Sequence, residues 1–237
     1  MIDHDSPLRL LPHGLNKKQI VFFDALRVSA EIAGQAYDDL LGELCLLGKK
    51  PKPDQPRNYV RAVRHAWTCV DALHRFRVIL RHTPDIRHNH VYELFMRRTE
   101  TVTEMRNKAQ HLNNELAGIA ERSQGAYGTL TWVLGAGEDR VPQPMILNIG
   151  AAYGCVVGPM TDFLERLPID EIRRVRLELA DRLLTLSDAH EHLASMVRGL
   201  EAPLAEFAEG KPRYAFDQFI NSVLKPLDKG RSAGEEI

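Results

Sequence analysis

Between Val91 and Glu121 no proline interrupts the chain, and apolar residues return at Val102, Met105, Ala109, Leu112, Leu116 and Ile119. Steps of three and four lay a seam along one side of an α-helix. Such a seam cannot stay in water, so the helix must set it against other helices. The spacing predicts one long helix from about Asn89 to Glu121, held in a bundle. Roughly opposite the seam, at ~100° per residue, lie Thr103, Asn107, His111 and Asn114, with Arg106 and Gln110 beside them. That polar stripe is either solvated surface or the wall of a cleft made with a second chain. In both readings His111 stays out of the core.

Two earlier helices supply partners for the seam. Asn16 is an N-cap candidate for a helix from Lys17 to about Leu47, ended by Gly48. The loop from Gly48 to Gln55 holds two prolines and three lysines and cannot be regular. A second helix starts at Pro56 and runs to about Arg81, with Val63, Trp67, Val70 and Leu73 as its apolar face. Arg57, Arg61, Arg64, Thr68, Asp71 and Arg75 share a separate face. A mostly basic stripe of this kind is commonly plain solvated surface. The nearby Lys49, Lys50 and Lys52 add weight to a patch that meets a polyanion.

Past Gly125 the composition changes to strand formers. Tyr127–Leu134, Met145–Ile149, Tyr153–Val157, Ile172–Leu179 and Leu183–Leu186 read as short strands. A helix across 170–200 is the competing reading of the last two. Ser187 can cap the following helix, which is checked at Pro203 and ends near Gly210. A final amphipathic helix is expected from Tyr214 to Leu227. The chain thus divides into an irregular arm (1–15), a helical core (16–124), a small antiparallel β elaboration (125–186), C-terminal helices packing back on the core (187–228) and a disordered tail (229–237). The fold class is mainly α, with a small antiparallel sheet inserted before the C-terminal helices, α+β overall.

Several function classes can be set aside. A net charge of −1 gives no global pull toward nucleic acid or anionic lipid, so such binding needs a local patch. Cys45, Cys69 and Cys155 form neither a disulfide framework nor a CxxC metal site, which suits a reducing cytosol. The uncharged stretch 141–161 repeats GxxxG at Gly150, Gly154 and Gly158, but prolines cut it below the ~18 residues a membrane span needs. No phosphate-binding glycine loop is present. Asp71 and His74, three residues apart, make half of a carboxylate–histidine metal pair, and no second such pair sits on a partner helix where it would be needed. His190 and His192 would diverge on a helix. No metal or other cofactor is expected.

What remains is Arg106-Asn107-Lys108-Ala109-Gln110-His111. This R-N-x3-H run, on the third long helix and flanked by Met105 and Leu112, resembles the signature of the HEPN superfamily over roughly Asn16 to Glu121. The resemblance implies an antiparallel helical bundle, here a larger bacterial member with a strand-rich elaboration. It also implies a metal-independent endoribonuclease that works as a homodimer through the motif-bearing helix. Such enzymes commonly act as toxins with an antitoxin, or in antiphage defence, in the cytoplasm. By the same resemblance Arg106, Asn107 and His111 are catalytic: Arg106 holds the phosphate, Asn107 orients one of the other two or binds the phosphate, and His111 moves the proton. RNA contacts are assigned to Arg57, Arg61 and Arg64 of the stripe and to Lys108, Gln110 and Asn114 around the motif. The alternative within the family is a non-catalytic module for dimerisation or for binding RNA or protein.

Overall fold

The computed structural model describes residues 1–47, 59–86, 88–121, 125–134, 143–148, 172–215 and 217. Its centre is a helical pair, α1 (Lys17–Leu47) and α2 (Tyr59–His82), which form the largest interface between elements. Asn16 and Gln19 cap α1 reciprocally: each backbone N–H donates to the other's side-chain oxygen at 2.9 Å. Leu26, Ala30, Ala33, Leu40 and Leu44 of α1 meet Ala62, Ala66, Cys69, Val70, Leu73 and Phe76 of α2, and all are inaccessible to solvent. The alanines let the two backbones approach, and the leucines each contribute about 1.5–3 kcal/mol by leaving water.

The long third helix of the sequence is three helices in the structure: α3 (His90–Arg98), α4 (Glu100–Gln110) and α5 (Leu112–Glu121). The first break is made by Arg77, buried on α2. Its Nη1 donates to the Met96 carbonyl at 2.7 Å and to Thr99 Oγ1, and its Nε donates to Thr103 Oγ1 at 3.3 Å. The Thr99 hydroxyl in turn donates to the Phe95 carbonyl at 2.6 Å. The Met96 carbonyl, which would accept the Glu100 N–H in a continuous helix, is thus taken from the side, while the Phe95 carbonyl still accepts the Thr99 N–H at 3.0 Å. The second break is at His111, where the backbone leaves the helical region (φ −107, ψ 34). Of the seam, Val102, Met105 and Ile119 are buried, but Leu116, past the second break, is 45% exposed.

The strands form a four-stranded antiparallel sheet in the order β3-β2-β4-β5: β2 (Thr129–Leu134), β3 (Gln143–Asn148), β4 (Ile172–Leu179) and β5 (Arg182–Thr185). Ile172–Leu179 and Arg182–Thr185 are thus strand rather than helix, while Leu186, expected to end the last strand, opens the following helix. In β4 the inward residues Ile172, Val175, Leu177 and Leu179 break strict alternation between 172 and 175. A bulge absorbs the extra residue: Arg174, at φ 51, and Val175 together face Trp132. All four apolar residues are then buried. Gly128 enters β2 at φ 88, and any Cβ there would sit 2.4 Å from the Glu178 carbonyl oxygen.

The sheet rests on α4 and on α6 (Leu186–Phe207), so the architecture is mainly α with a small antiparallel sheet, α+β. Ser187 does not cap α6. It lies inside the first turn, where its hydroxyl oxygen accepts from the Val175 N–H at 2.9 Å and the Tyr37 hydroxyl at 3.0 Å. The helix continues through Pro203 to Phe207. The N-terminal arm is partly regular, for β1 (Leu10–Pro12) pairs with β6 (Arg213–Ala215), and Leu8 and Leu11 are buried. Tyr214 therefore opens in a strand rather than in a helix; the remainder of the expected helix, from 218 to 227, lies outside the described residues, as do the expected strand 153–157, Cys155 and the tail 229–237. Among the described residues no helix is long and apolar enough to cross a membrane. Of the stretch 141–161, Gln143–Asn148 is β3 and the rest is outside the described residues.

Candidate functional site

The basic stripe of α2 and the motif of α4 meet. Arg64, Thr68, Asp71 and Arg75 on one side, and Arg106, Ala109 and Gln110 on the other, line a cavity of about 730 Å³. Val63, Trp67, Leu112 and Leu179 add apolar wall, and the turn at Ala126 and Tyr127 forms a lip. Trp67 fixes that lip by donating its indole N–H to the Tyr127 carbonyl at 3.0 Å.

Charge inside the cavity is uneven. Arg64, Arg75 and Arg106 face a single carboxylate, Asp71. Arg106 donates from Nη1 to Gln110 Oε1, and its Nε lies 4.0 Å from Asp71 Oδ1. Arg64 reaches His65 Nε2 at 3.3 Å. The exposed Arg75 side chain makes no hydrogen bond or ion pair among the described residues. His74, also on the wall, is half-buried, and its Nδ1 is covered without a partner. Burial first, and then the neighbouring Arg106, Arg77 and Arg81, push this imidazole below its ordinary value against the pull of Asp71.

The other candidate residues lie elsewhere. Asn107, His111 and Asn114 are exposed and take no part in the cavity wall. The His111 ring makes no hydrogen bond or ion pair among the described residues, although its backbone N–H donates to the Asn107 and Lys108 carbonyls. Lys108 is committed to Glu115 at 2.9 Å and Asp181 at 3.0 Å, which hold its ammonium above the usual lysine value. It is a structural tie rather than an open cation. Arg61 reaches back to Glu43 of α1 at 3.5 Å, and Arg57 lies outside the described residues. The structure thus brings together Arg64, Arg106 and Gln110 on the cavity wall, and leaves Asn107, His111, Lys108, Asn114 and Arg61 off it.

Comparison with protein-family models, curated proteins and solved structures finds no match to this chain.

Sequence reading missed three groups of the cavity. Arg75 was visible on the stripe and His74 in the Asp71–His74 pair, but nothing in the sequence turned them toward Arg106. Trp67 read as core, whereas one side of it is cavity wall. Among the described residues no three His, Cys, Asp or Glu side chains converge as a metal site would require. His190 stacks on Tyr37 with ring centroids 4.4 Å apart, and His88 stacks on Tyr92 at 4.2 Å. Cys69 is buried, and burial pushes its thiol up to about 12, which removes it as a nucleophile.

Proposed function

We propose that this chain is a HEPN-type, metal-independent endoribonuclease that acts as a homodimer. One observation carries the reading. Arg106, the first motif residue, opens on a cavity with an excess of positive charge, while His111 ends α4 exposed and unpartnered among the described residues. A phosphodiester can then reach a guanidinium, and a proton can reach an imidazole that is not already engaged. In the reaction the ribose 2′-OH attacks the adjacent phosphorus and the 5′-oxygen leaves. His111 takes the 2′-OH proton, the leaving oxygen is protonated, and the products carry a 2′,3′-cyclic phosphate and a 5′-OH. Arg106 stabilises the charge that builds on the phosphoryl oxygens. Asn107, exposed beside it, orients the phosphate. A second subunit apposed at the motif brings a second His111, so that one imidazole serves as base and the other as acid. A cytoplasmic toxin or antiphage role, with an antitoxin or defence partner, follows from the same reading.

A second reading, a non-catalytic module for dimerisation or binding, is favoured by one feature: Arg106 is occupied by Gln110 and lies near Asp71, while His111 stands outside the cavity. RNA cleavage in EDTA separates the two. The nuclease predicts cyclic-phosphate ends and their loss in His111→Ala with the fold intact. Cleavage unchanged in His111→Ala sinks the catalytic assignment. The binding module predicts no cleavage under any condition, and a dimer weakened by changes at Arg106.

A further inference from the structure

We propose that the cavity between α2 and α4 is a site for one nucleoside monophosphate unit, with its phosphate on Arg64, Arg75 and Arg106 and its base against Trp67. Size and chemistry both point there. About 730 Å³ is far more than a phosphate fills, and it falls in the range of small-molecule sites, ~300–1,000 Å³. The apolar part of the wall calls for a flat, weakly polar body next to the anion, which is what a nucleobase is. The three guanidiniums against the one carboxylate of Asp71 rule out a wholly apolar occupant, since they would be stripped of water without a counter-charge.

The individual groups are set for these tasks. The exposed Arg75 side chain has no partner among the described residues, so none of these holds it back from a phosphate. Trp67 is anchored through its N–H to the Tyr127 carbonyl, so the indole is held as a platform instead of swinging with the solvent. Tyr127, 57% exposed, stands at the lip where a base enters. His74, half-buried on the same wall, presents an imidazole that can hydrogen-bond a base edge or ribose hydroxyl.

The same chemistry is offered by a nucleotide within an RNA strand and by a free mononucleotide. Only the RNA source rests on the proposed nuclease. The cavity itself does not use His111, so the two proposals fail separately. The experiment is calorimetric titration of the full-length chain with AMP, UMP, adenosine and inorganic phosphate. Either monophosphate is expected to bind at least about tenfold more tightly than adenosine or phosphate, a difference of about 1.4 kcal/mol. Arg75→Glu, at an exposed position, should weaken the monophosphate about tenfold at unchanged melting temperature. Trp67→Phe, which keeps an aromatic body, should weaken it less and leave phosphate binding unaltered. His111→Ala should bind as the wild type does, even where cleavage is lost. An uncleavable 2′-deoxy oligonucleotide that displaces AMP assigns the site to a strand; one that does not assigns it to a free nucleotide. Equal affinity for AMP, adenosine and phosphate, or AMP binding untouched by Arg75→Glu, overturns the proposal.

Discussion

Arg106 Nε lies 4.0 Å from Asp71 Oδ1, so the first residue of the motif faces a carboxylate contributed by a different helix. The pair is loose and wet, with the Asp71 side chain 55% exposed and that of Arg106 32%. Ion pairs of this kind are worth about 0–1 kcal/mol. Asp71→Asn should therefore change stability by less than about 1 kcal/mol while removing the one acidic group of the cavity wall. Phosphate should bind roughly threefold more tightly, the size of one surface charge interaction. Phosphate-dependent thermal shift alongside urea denaturation measures both. Weaker binding would instead mean that Asp71 aims Arg106 and does not compete for it.

Two half-buried histidines give the fold a pH dependence of definite sign. His74 is held below the ordinary imidazole value by burial and by Arg106, Arg77 and Arg81, and His190, stacked on Tyr37, is lowered chiefly by burial. The unfolded chain, with ordinary imidazoles near about 6.5, takes protons first as pH falls. Stability should be full above that value, decline as pH drops toward the depressed folded values, and flatten below them. Urea unfolding from about pH 8 to pH 5 checks this slope. His190→Gln and His74→Gln should each make it shallower, and a slope unaffected by both would place its origin elsewhere.

The sequence showed which segments are helix and strand more clearly than how they meet. The Asn16 cap, the apolar faces of α1 and α2 and the strand character after Gly125 are local signals, carried by periodicity and by residues within one turn. The break at Thr99 is not local: it depends on Arg77, which approaches from another helix and was hidden within a pattern of ordinary exposed cations. The bulge at Arg174 explains why Ile172–Leu179 only partly alternated, since the sequence holds one residue too many for a flat strand. The cavity needs the register of α2 against α4, so the stripe and the motif could each be read while their meeting at Arg75, His74 and Arg106 could not.

Lys108 joins three elements, for its ammonium reaches Glu115 of α5 and Asp181 in the turn between β4 and β5. Its hydrogen bond lowers the Asp181 carboxyl below the usual carboxylate value. A depressed carboxyl stabilises the fold above its unfolded pKa, and that contribution disappears as pH falls through the folded value. Lys108→Met should thus be less stable than the wild type at neutral pH, with the gap narrowing in acid. Hydrogen exchange should show α5 amides opening faster in the variant at neutral pH. RNA or phosphate binding should not change, and a large loss there would return Lys108 to the substrate contacts.

Arg77 is a buried cation whose described hydrogen bonds go to neutral oxygens, those of Met96, Thr99 and Thr103. Burial lowers its pKa, which records the cost of keeping the charge there. Against that cost stand hydrogen bonds from a charged donor, each worth about 1.5–3 kcal/mol. Arg77→Met removes both sides of the balance and leaves the Met96 carbonyl without its donor. A net loss of about 1–3 kcal/mol in urea unfolding is expected. Arg77→Ala adds a void and should lose about 1 kcal/mol more. The consequence for the site is sharper than that for stability. With the Met96 carbonyl released, α3 and α4 can continue as one helix through Thr99, which would shift Arg106 relative to Arg75. Phosphate binding should then fall in Arg77→Met, although Arg77 is not part of the cavity wall. Slower exchange at the Thr99 and Glu100 amides would report the straightened helix, and unchanged phosphate affinity alongside it would show that the break does not aim the site.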